Sequence, residues 1–364
     1  MISLLIISPE AWHSHFVSKH HYAVSLAKTG YRVFFLEPPD ESLHHFIVGG
    51  VHGNPNLKLV SGPRLAPGLR FYPAILRRWR EALWLKKFEE MIGYRLDAIW
   101  LFENSRFFDL RFAGDRLKIY HQVDLNQDFQ PEVAAATADI CFCTTDFIRE
   151  RLLPHNARTF KIHHGLAAHV SQTKLSDQQE AWFDQTGPHA VYIGNLDIAY
   201  LDAELLSEAA RSFPAVRFHF VGGYSEQGAL RTRARDLSNV TWWGKVGSEC
   251  IEAILRRADV MLVAYQAARW RDQASPHKFM EYLASGKVVV ATYTDEYKDK
   301  RHLLQMVDSN ADYLDAFARV IDRLDEYNSP ARQAERKAFA EEHSYERQLD
   351  RVFGLLRQHQ LLPT

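Results

Sequence analysis

The stretch Ser275 to Thr292, SPHKFMEYLASGKVVVAT, decides the fold. Ser275 reads as an N-cap and Pro276 as the first helical residue, because a cap oxygen and a fixed φ both suit a helix start. Phe279, Met280, Leu283 and Ala284 recur at helical spacing and face a core. Gly286 ends that helix, and Lys287 to Thr292 follows as a buried strand. Lys278 stands in the first turn, where unpaired backbone N–H groups and the positive end of the helix dipole favour an anion. Glu281, one turn on, lies on the same side and can accept two hydrogen bonds from a vicinal diol. Phosphate at the helix start and ribose a turn later describe a nucleoside diphosphate; the plainer alternative is a solvated Lys–Glu pair worth a few tenths of a kcal/mol.

Pro276, Lys278, Glu281, Tyr282, Leu283, Ala284, Gly286, Val289 and Val290 together resemble the donor-binding segment of GT-B glycosyltransferases of the group 1 type. The resemblance extends to bacterial polysaccharide and teichuronic-acid-type enzymes and to xanthan glucuronosyltransferase-like enzymes. It implies an α/β chain of two doubly wound Rossmann-like domains facing across a cleft, with the nucleotide-sugar donor on the second domain and the acceptor on the first. It also implies a reaction without metal or cofactor, in which Lys278 and the backbone around Ser275 and His277 stabilise the leaving diphosphate.

Upstream of this stretch, strands and helices alternate. Asp259–Tyr265, Asn239–Gly244, Val216–Val221 and the AVYI of Ala190–Ile193 read as strands of a second doubly wound sheet. Ligands bind such sheets at the carboxyl ends of the strands, at the switch in strand order. That edge collects Asn195, Gly222, Gly244 and Tyr265 beside Lys278 and Glu281. Retaining members of the family often carry a Glu eight residues before the one matching Glu281, where this chain has Gln273 after Asp272. The departure weakens retention and leaves inversion slightly favoured.

The amino-terminal half opens with the same alternation. Ile2–Ser8, a helix over Ser18–Thr29 and Tyr31–Glu37 make a right-handed βαβ unit. No GxGxxG follows the first strand, which argues against a dinucleotide dehydrogenase. The loop Pro9–Phe16 holds His13 and His15, which the resemblance places on the acceptor side; His20 and His21 follow. A metal site lacks a carboxylate or cysteine at ligand spacing, and loop histidines are commonly solvated or bonded locally. Residues 41–68 read as connection with one short strand near Leu57–Val60. Further strands are expected at Asp97–Phe102, Leu117–Val123 and Ala138–Thr144. The family shows Tyr-Asp-x-x-Asp where this chain has Tyr120, His121 and Asp124. Asp124, at a strand's carboxyl end, is the candidate base for an attacking sugar hydroxyl; a loop-capping Asp is the alternative.

Residues 69–93 place Tyr72, Ile75, Leu76, Trp79, Leu83 and Trp84 at steps of three or four, with Arg77, Arg78, Arg80, Lys86 and Lys87 between. Such a helix either packs its aromatic face on the sheet or lies on an anionic membrane surface. The resulting domains are 1–170, a linker over 171–187, 188–342, and a last helix over 343–364 that the resemblance returns to the first domain.

Composition sets the remaining bounds. The 364 residues suffice for two cores, and 46% apolar with 24% charged residues is ordinary globular usage. A net charge of −1 gives no global field for nucleic acid. Cys141, Cys143 and Cys250 make no disulfide framework, and no apolar run is long enough for a signal peptide or a membrane span. The expectation is a cytoplasmic protein, free or peripheral on the inner membrane face. Two rival functions remain: a nucleotide-sugar epimerase of the same architecture, which needs acid–base residues absent from recognisable positions, and a degenerate scaffold, which predicts loss of Lys278 and Glu281.

Overall fold

The computed structural model describes residues 1–14, 16–102, 104–125, 129–167, 174–268 and 278–362. Two compact units result, Met1–His164 with Tyr345–Thr364, and Gly165–Ser344.

The first unit runs β1 Ser3–Ile7, α1 Ser18–Lys28, β2 Arg32–Leu36, β3 Ile47–Val51, β4 Asn54–Ser61, α2 Ala74–Ile92, β5 Ala98–Leu101, β6 Leu117–Gln122, α3 Pro131–Thr137, β7 Ile140–Cys143, α4 Asp146–Leu152 and β8 Thr159–Lys161. Its sheet has the order β3-β4-β2-β1-β5-β6-β7-β8, in which β3 alone is antiparallel to its neighbour. Helices cover both faces, so the central strands are continuous apolar runs with no alternation. The chain winds outward from β1 to β4, then returns to β5 on the other side of β1, which puts the switch point between β1 and β5.

Two expectations for this unit need correction. Residues 41–68 hold a hairpin and not one short strand: exposed Ile47 and Val48 pair across to Ser61 and Val60. The helix after it also turns a different face inward. Arg77, Glu81, Trp84, Leu85 and Phe88 are its buried residues, whereas Ile75, Leu76 and Trp79 are exposed. The cause is Asp109, a carboxylate with no exposed surface, which Arg77 meets at 3.1 Å and Arg111 at 2.7 Å. An inaccessible carboxylate left without cations costs several kcal/mol, so Arg77 takes the inner face at the expense of neighbouring apolar positions.

The second unit runs α5 Asp177–Phe183, β9 His189–Ile193, α6 Ala203–Ser212, β10 Arg217–Val221, α7 Ala229–Ala234, β11 Val240–Gly244, α8 Ser248–Arg257, β12 Val260–Val263, α9 Lys278–Ser285, β13 Val288–Ala291, β14 Gln305–Met306, α10 Tyr313–Asp322, α11 Leu324–Tyr327 and α12 Pro330–Glu342. All six strands are parallel in the order β11-β10-β9-β12-β13-β14, with the switch point between β9 and β12. The stretch expected to be a linker contains α5, whose Ser176 and Gln179 form a capping box and whose Phe183 enters the core. The last helix, α13 Tyr345–Gln358, sets Tyr345, Leu349, Val352 and Leu356 against Tyr22, Ala23 and Leu26 in the first unit's core.

Candidate functional site

Both switch points gather polar chemistry at the carboxyl ends of strands. In the second unit the site is built on β9, because that strand is central and is followed by Gly194. Gly194 has φ +152° and donates its N–H to the Val221 carbonyl at 2.9 Å. Gly222, with φ +138°, donates to the Gly244 carbonyl at 2.8 Å. The strand ends are thus drawn together so closely that a Cβ on Gly222 would stand 1.8 Å from the Gly194 oxygen. No other residue fits there.

Lys278 fills the space that Gly194 leaves. Its Nζ lies 3.9 Å from the centroid of the Tyr192 ring and 5.4 Å from that of Tyr265. A Cβ on Gly194 would come within 2.8 Å of that nitrogen. Tyr192 belongs to β9 and Tyr265 follows β12, so the ammonium spans the switch point on an aromatic platform. Burial lowers its pKa from 10.5 to about 7, with Glu281 acting in the opposite direction. The amine is therefore near its titration point in neutral solution, and an arriving anion would pull it to the charged form.

The platform is itself braced. Tyr282, on α9, accepts from the Ile193 N–H at 2.8 Å, which ties the helix to the end of β9. Thr292 accepts from the Tyr265 N–H at 2.9 Å, and Asn310 donates to the Tyr265 carbonyl at 2.9 Å. Glu281 lies one turn after Lys278 and is partly exposed. Asn195 is exposed and turns its side-chain oxygen into its own loop, accepting from the Asp197 N–H at 3.0 Å. Gly244 contributes a carbonyl and a left-handed φ of +68°. Ser275, Pro276 and His277, with Asp272 and Gln273, lie outside the described residues, as does His15.

Tyr192 and Gly194 were not singled out by the sequence. Their signal, a Tyr two places before a Gly at the end of an apolar run, is indistinguishable from an ordinary strand end until β9 is known to sit beside β12.

In the first unit, Asp124 is exposed just beyond the carboxyl end of β6. His121, three residues earlier on β6, is buried instead. It is 1% exposed among Tyr22, Trp100, Phe102 and Phe142, and burial lowers its pKa to about 3. It is a neutral core ring. His13 is exposed in the first loop, which His20 closes: its Nδ1 accepts from the Val17 N–H at 3.1 Å while its Nε2 meets the Ala11 carbonyl at 3.2 Å. Beside this loop, Arg106 donates to the Glu37 carbonyl at 2.8 Å and the Ser8 carbonyl at 3.1 Å, across the ends of β2 and β1. Among the described residues no three His, Cys, Asp or Glu side chains are grouped to hold a metal ion.

With this geometry in place, comparison with known proteins is informative. Residues 187–325 match the family model of glycosyl transferases group 1. That span contains β9 to β13 and every described element of the Lys278 platform. Solved structures extend the likeness to the whole chain. Sucrose-phosphate synthase from Thermosynechococcus elongatus superposes with a TM-score of 0.71 at 16% identity, over 98% of this chain and 99% of that one. WaaG, a glycosyltransferase involved in lipopolysaccharide biosynthesis, gives 0.62 at 14%, over 96% and 98%. A trehalose-6-phosphate synthase characterised for glycosyltransfer with retention gives 0.69 at 14%, over 98% and 99%. At these identities the likeness establishes the GT-B fold of two Rossmann-like units. No curated protein sequence matches the chain.

Proposed function

We propose that the chain is a glycosyltransferase that moves a sugar from a nucleoside diphosphate sugar to a saccharide or lipid-linked acceptor in the assembly of a cell-surface polysaccharide or glycoconjugate. One observation carries the reading: a lysine amine held over two tyrosine rings at the switch point of the second unit, beside a glycine whose missing side chain leaves it room. Phosphate is the ligand that such a cation and strand-end backbone recognise. The leaving diphosphate gathers charge as its bond to the anomeric carbon breaks and the acceptor oxygen bonds there, so a cation fixed beforehand lowers the barrier without a metal. In this reading Glu281 takes the ribose hydroxyls, and Ser275, His277 and the strand ends at Gly222 and Gly244 are assigned to the donor side.

Asp124 is the base in this reading and removes the proton of the attacking hydroxyl, in an inverting reaction. Retention by a protein of the same fold makes product stereochemistry a necessary check. Calorimetric titration of a panel of nucleoside diphosphates tests the donor site. Micromolar binding of one of them to the wild-type chain and its loss in Lys278→Ala are expected; no binding, or equal binding by both, rejects the proposal. Activity unchanged by a chelator is expected from the same reading, and proton NMR of the product anomer decides inversion.

The exposed side of α2 favours a location as well. Phe71, just before α2, and Ile75, Leu76 and Trp79 on it are exposed, and Arg70 and Arg80 stand among them with no Asp or Glu between residues 69 and 80. This composition suits peripheral binding to the anionic, cytoplasmic face of a membrane, since apolar and aromatic side chains enter the headgroup region while arginines meet lipid phosphate. No described helix is long and apolar enough to cross a membrane. Vesicle flotation tests it: binding that rises with anionic lipid and falls in Ile75→Ser/Trp79→Ser supports the location, and indifference to both refutes it.

A further inference from the structure

The helix α9 has eight residues, too few to fix its own place, so its position depends on what grips it. On its flank Tyr282 accepts from the Ile193 N–H and Phe279 stacks on Tyr297 with ring centroids 4.3 Å apart. Its carboxyl end is gripped by α12. Gly286, which closes α9 at φ +80°, lies so near α12 that a Cβ there would stand 2.7 Å from the Lys337 side chain and 3.2 Å from that of Gln333. Beside this glycine, Arg336 donates Nη1 to the Gly286 carbonyl and Nε to the Leu303 carbonyl, each at 2.9 Å.

Arg336 is 1% exposed, and among the described residues no carboxylate forms an ion pair with it. Burial lowers its pKa to about 10, so it is still a cation at neutral pH. A buried cation is costly unless an opposite charge or oriented dipoles meet it. Asp109 does this for Arg77 in the first unit. For Arg336 the two carbonyls do it, and one of them stands at the negative end of the α9 dipole. A planar guanidinium holds two acceptors in one fixed geometry, which an ammonium does not. The end of α9 is thereby tied to the segment that enters β14.

At the other end of the same helix, about 12 Å along its axis, stands Lys278. Its amine has little latitude, since Nζ is 3.9 Å from the Tyr192 ring centroid and occupies room that a Cβ on Gly194 would take. The attraction of a cation to a ring is confined to about 6 Å. A short helix moves as one body, so a displacement at Gly286 reaches Lys278.

We propose that Arg336 is a positioning residue for the donor phosphate site: from the carboxyl end of α9 it sets the place at which Lys278, at the amino end, stands over Tyr192 and Tyr265. It acts through α9 and touches no substrate. The effect on donor binding rests on the function proposed above, whereas the placing of the amine does not.

The test reads Lys278 directly. Trace acetylation of the full-length protein from pH 6 to pH 10, mapped by peptide mass spectrometry, gives the midpoint at which its amine becomes reactive. That midpoint is expected near 7 in the wild type and at least about one pH unit higher in Arg336→Met, where the amine leaves the platform and regains water. Arg336→Lys, able to serve one carbonyl, is expected between the two. Ala340→Gly, a change in the buried face of α12 that leaves both carbonyl bonds in place, is expected to lower Tm without moving the midpoint. If Arg336→Met does not fold, Arg336→Gln takes its place with the same expectation. An unmoved midpoint in the Met or Gln variant, or an equal shift in Ala340→Gly, overturns the proposal. In calorimetry at pH 7, Arg336→Met is also expected to weaken nucleoside diphosphate binding at least about tenfold. A wild type that binds no nucleoside diphosphate counts against the donor site, and the acetylation midpoints still decide the role of Arg336.

Discussion

If Lys278 is the phosphate-binding cation, nucleotide binding must be coupled to a proton. In the free protein its pKa is lowered to about 7, first by burial and in spite of Glu281. At pH 8 only about a tenth of the amine is charged, and at pH 9 about a hundredth. A diphosphate placed against the nitrogen favours the charged form and raises the pKa again, so each molecule bound at alkaline pH draws in close to one proton. The affinity of a nucleoside diphosphate should then fall about tenfold from pH 8 to pH 9, a change of roughly 1.4 kcal/mol. The window from pH 7.5 to 9 is suitable because the phosphate groups themselves are ionised throughout, their second pKa being about 6. Calorimetry in buffers of different ionisation enthalpy counts the proton directly. Lys278→Met should abolish the coupling along with most of the affinity, whereas Lys278→Arg, charged at every pH used, should bind without pH dependence. Binding that is independent of pH in the wild type and unimpaired in Lys278→Met would refute the assignment.

Other outcomes follow from the same geometry. Gly222→Ala places a Cβ 1.8 Å from the Gly194 oxygen at φ +138°, and chemical denaturation should show a loss of about 2–4 kcal/mol. His121 and His219 have pKa values lowered by burial to about 3, so the folded state binds fewer protons than the unfolded chain, whose histidines titrate near 6.5. Their contribution to stability is present above pH 6.5 and is lost as pH falls toward 3, by up to about 1.4 kcal/mol per pH unit each; His121→Phe should flatten the fall in urea midpoint between pH 7 and pH 5. Asp124→Asn should reduce the transfer rate by about 10²–10⁴ with nucleotide affinity unchanged, measured by release of nucleoside diphosphate.

The parts of the fold legible in the sequence are those where local pattern and burial agree. The runs around Leu5, Phe34, Ile99, Val191 and Val289 are apolar without alternation because helices cover both faces of each sheet, and turns or glycines bound them. The hairpin strand β3 was missed because Ile47 to Gly50 are exposed and two are glycines, so pairing to β4 alone holds them as a strand. The inner face of α2 was misassigned because periodicity cannot anticipate Asp109, which arrives from a different element and takes Arg77 from the surface. Lys278 and Glu281 stood out from their helix-start context. Tyr192 and Gly194 did not, since their importance depends on β9 lying next to β12 and on α9 crossing its end. The chain of Trp243, His219 and His189 was equally hidden: Trp243 donates to His219 at 3.1 Å, and the two imidazoles meet at 2.9 Å within the core.

Photoaffinity labelling with a photoreactive nucleoside diphosphate, mapped by peptide mass spectrometry on the intact chain, tests the central claim most directly. The account expects label in the second unit, on peptides holding Tyr192–Asn195, Gly222 or Lys278–Glu281, protected by excess unmodified nucleotide and lost in Lys278→Ala. Protectable label confined to the first unit, or label that Lys278→Ala leaves undiminished, would contradict it.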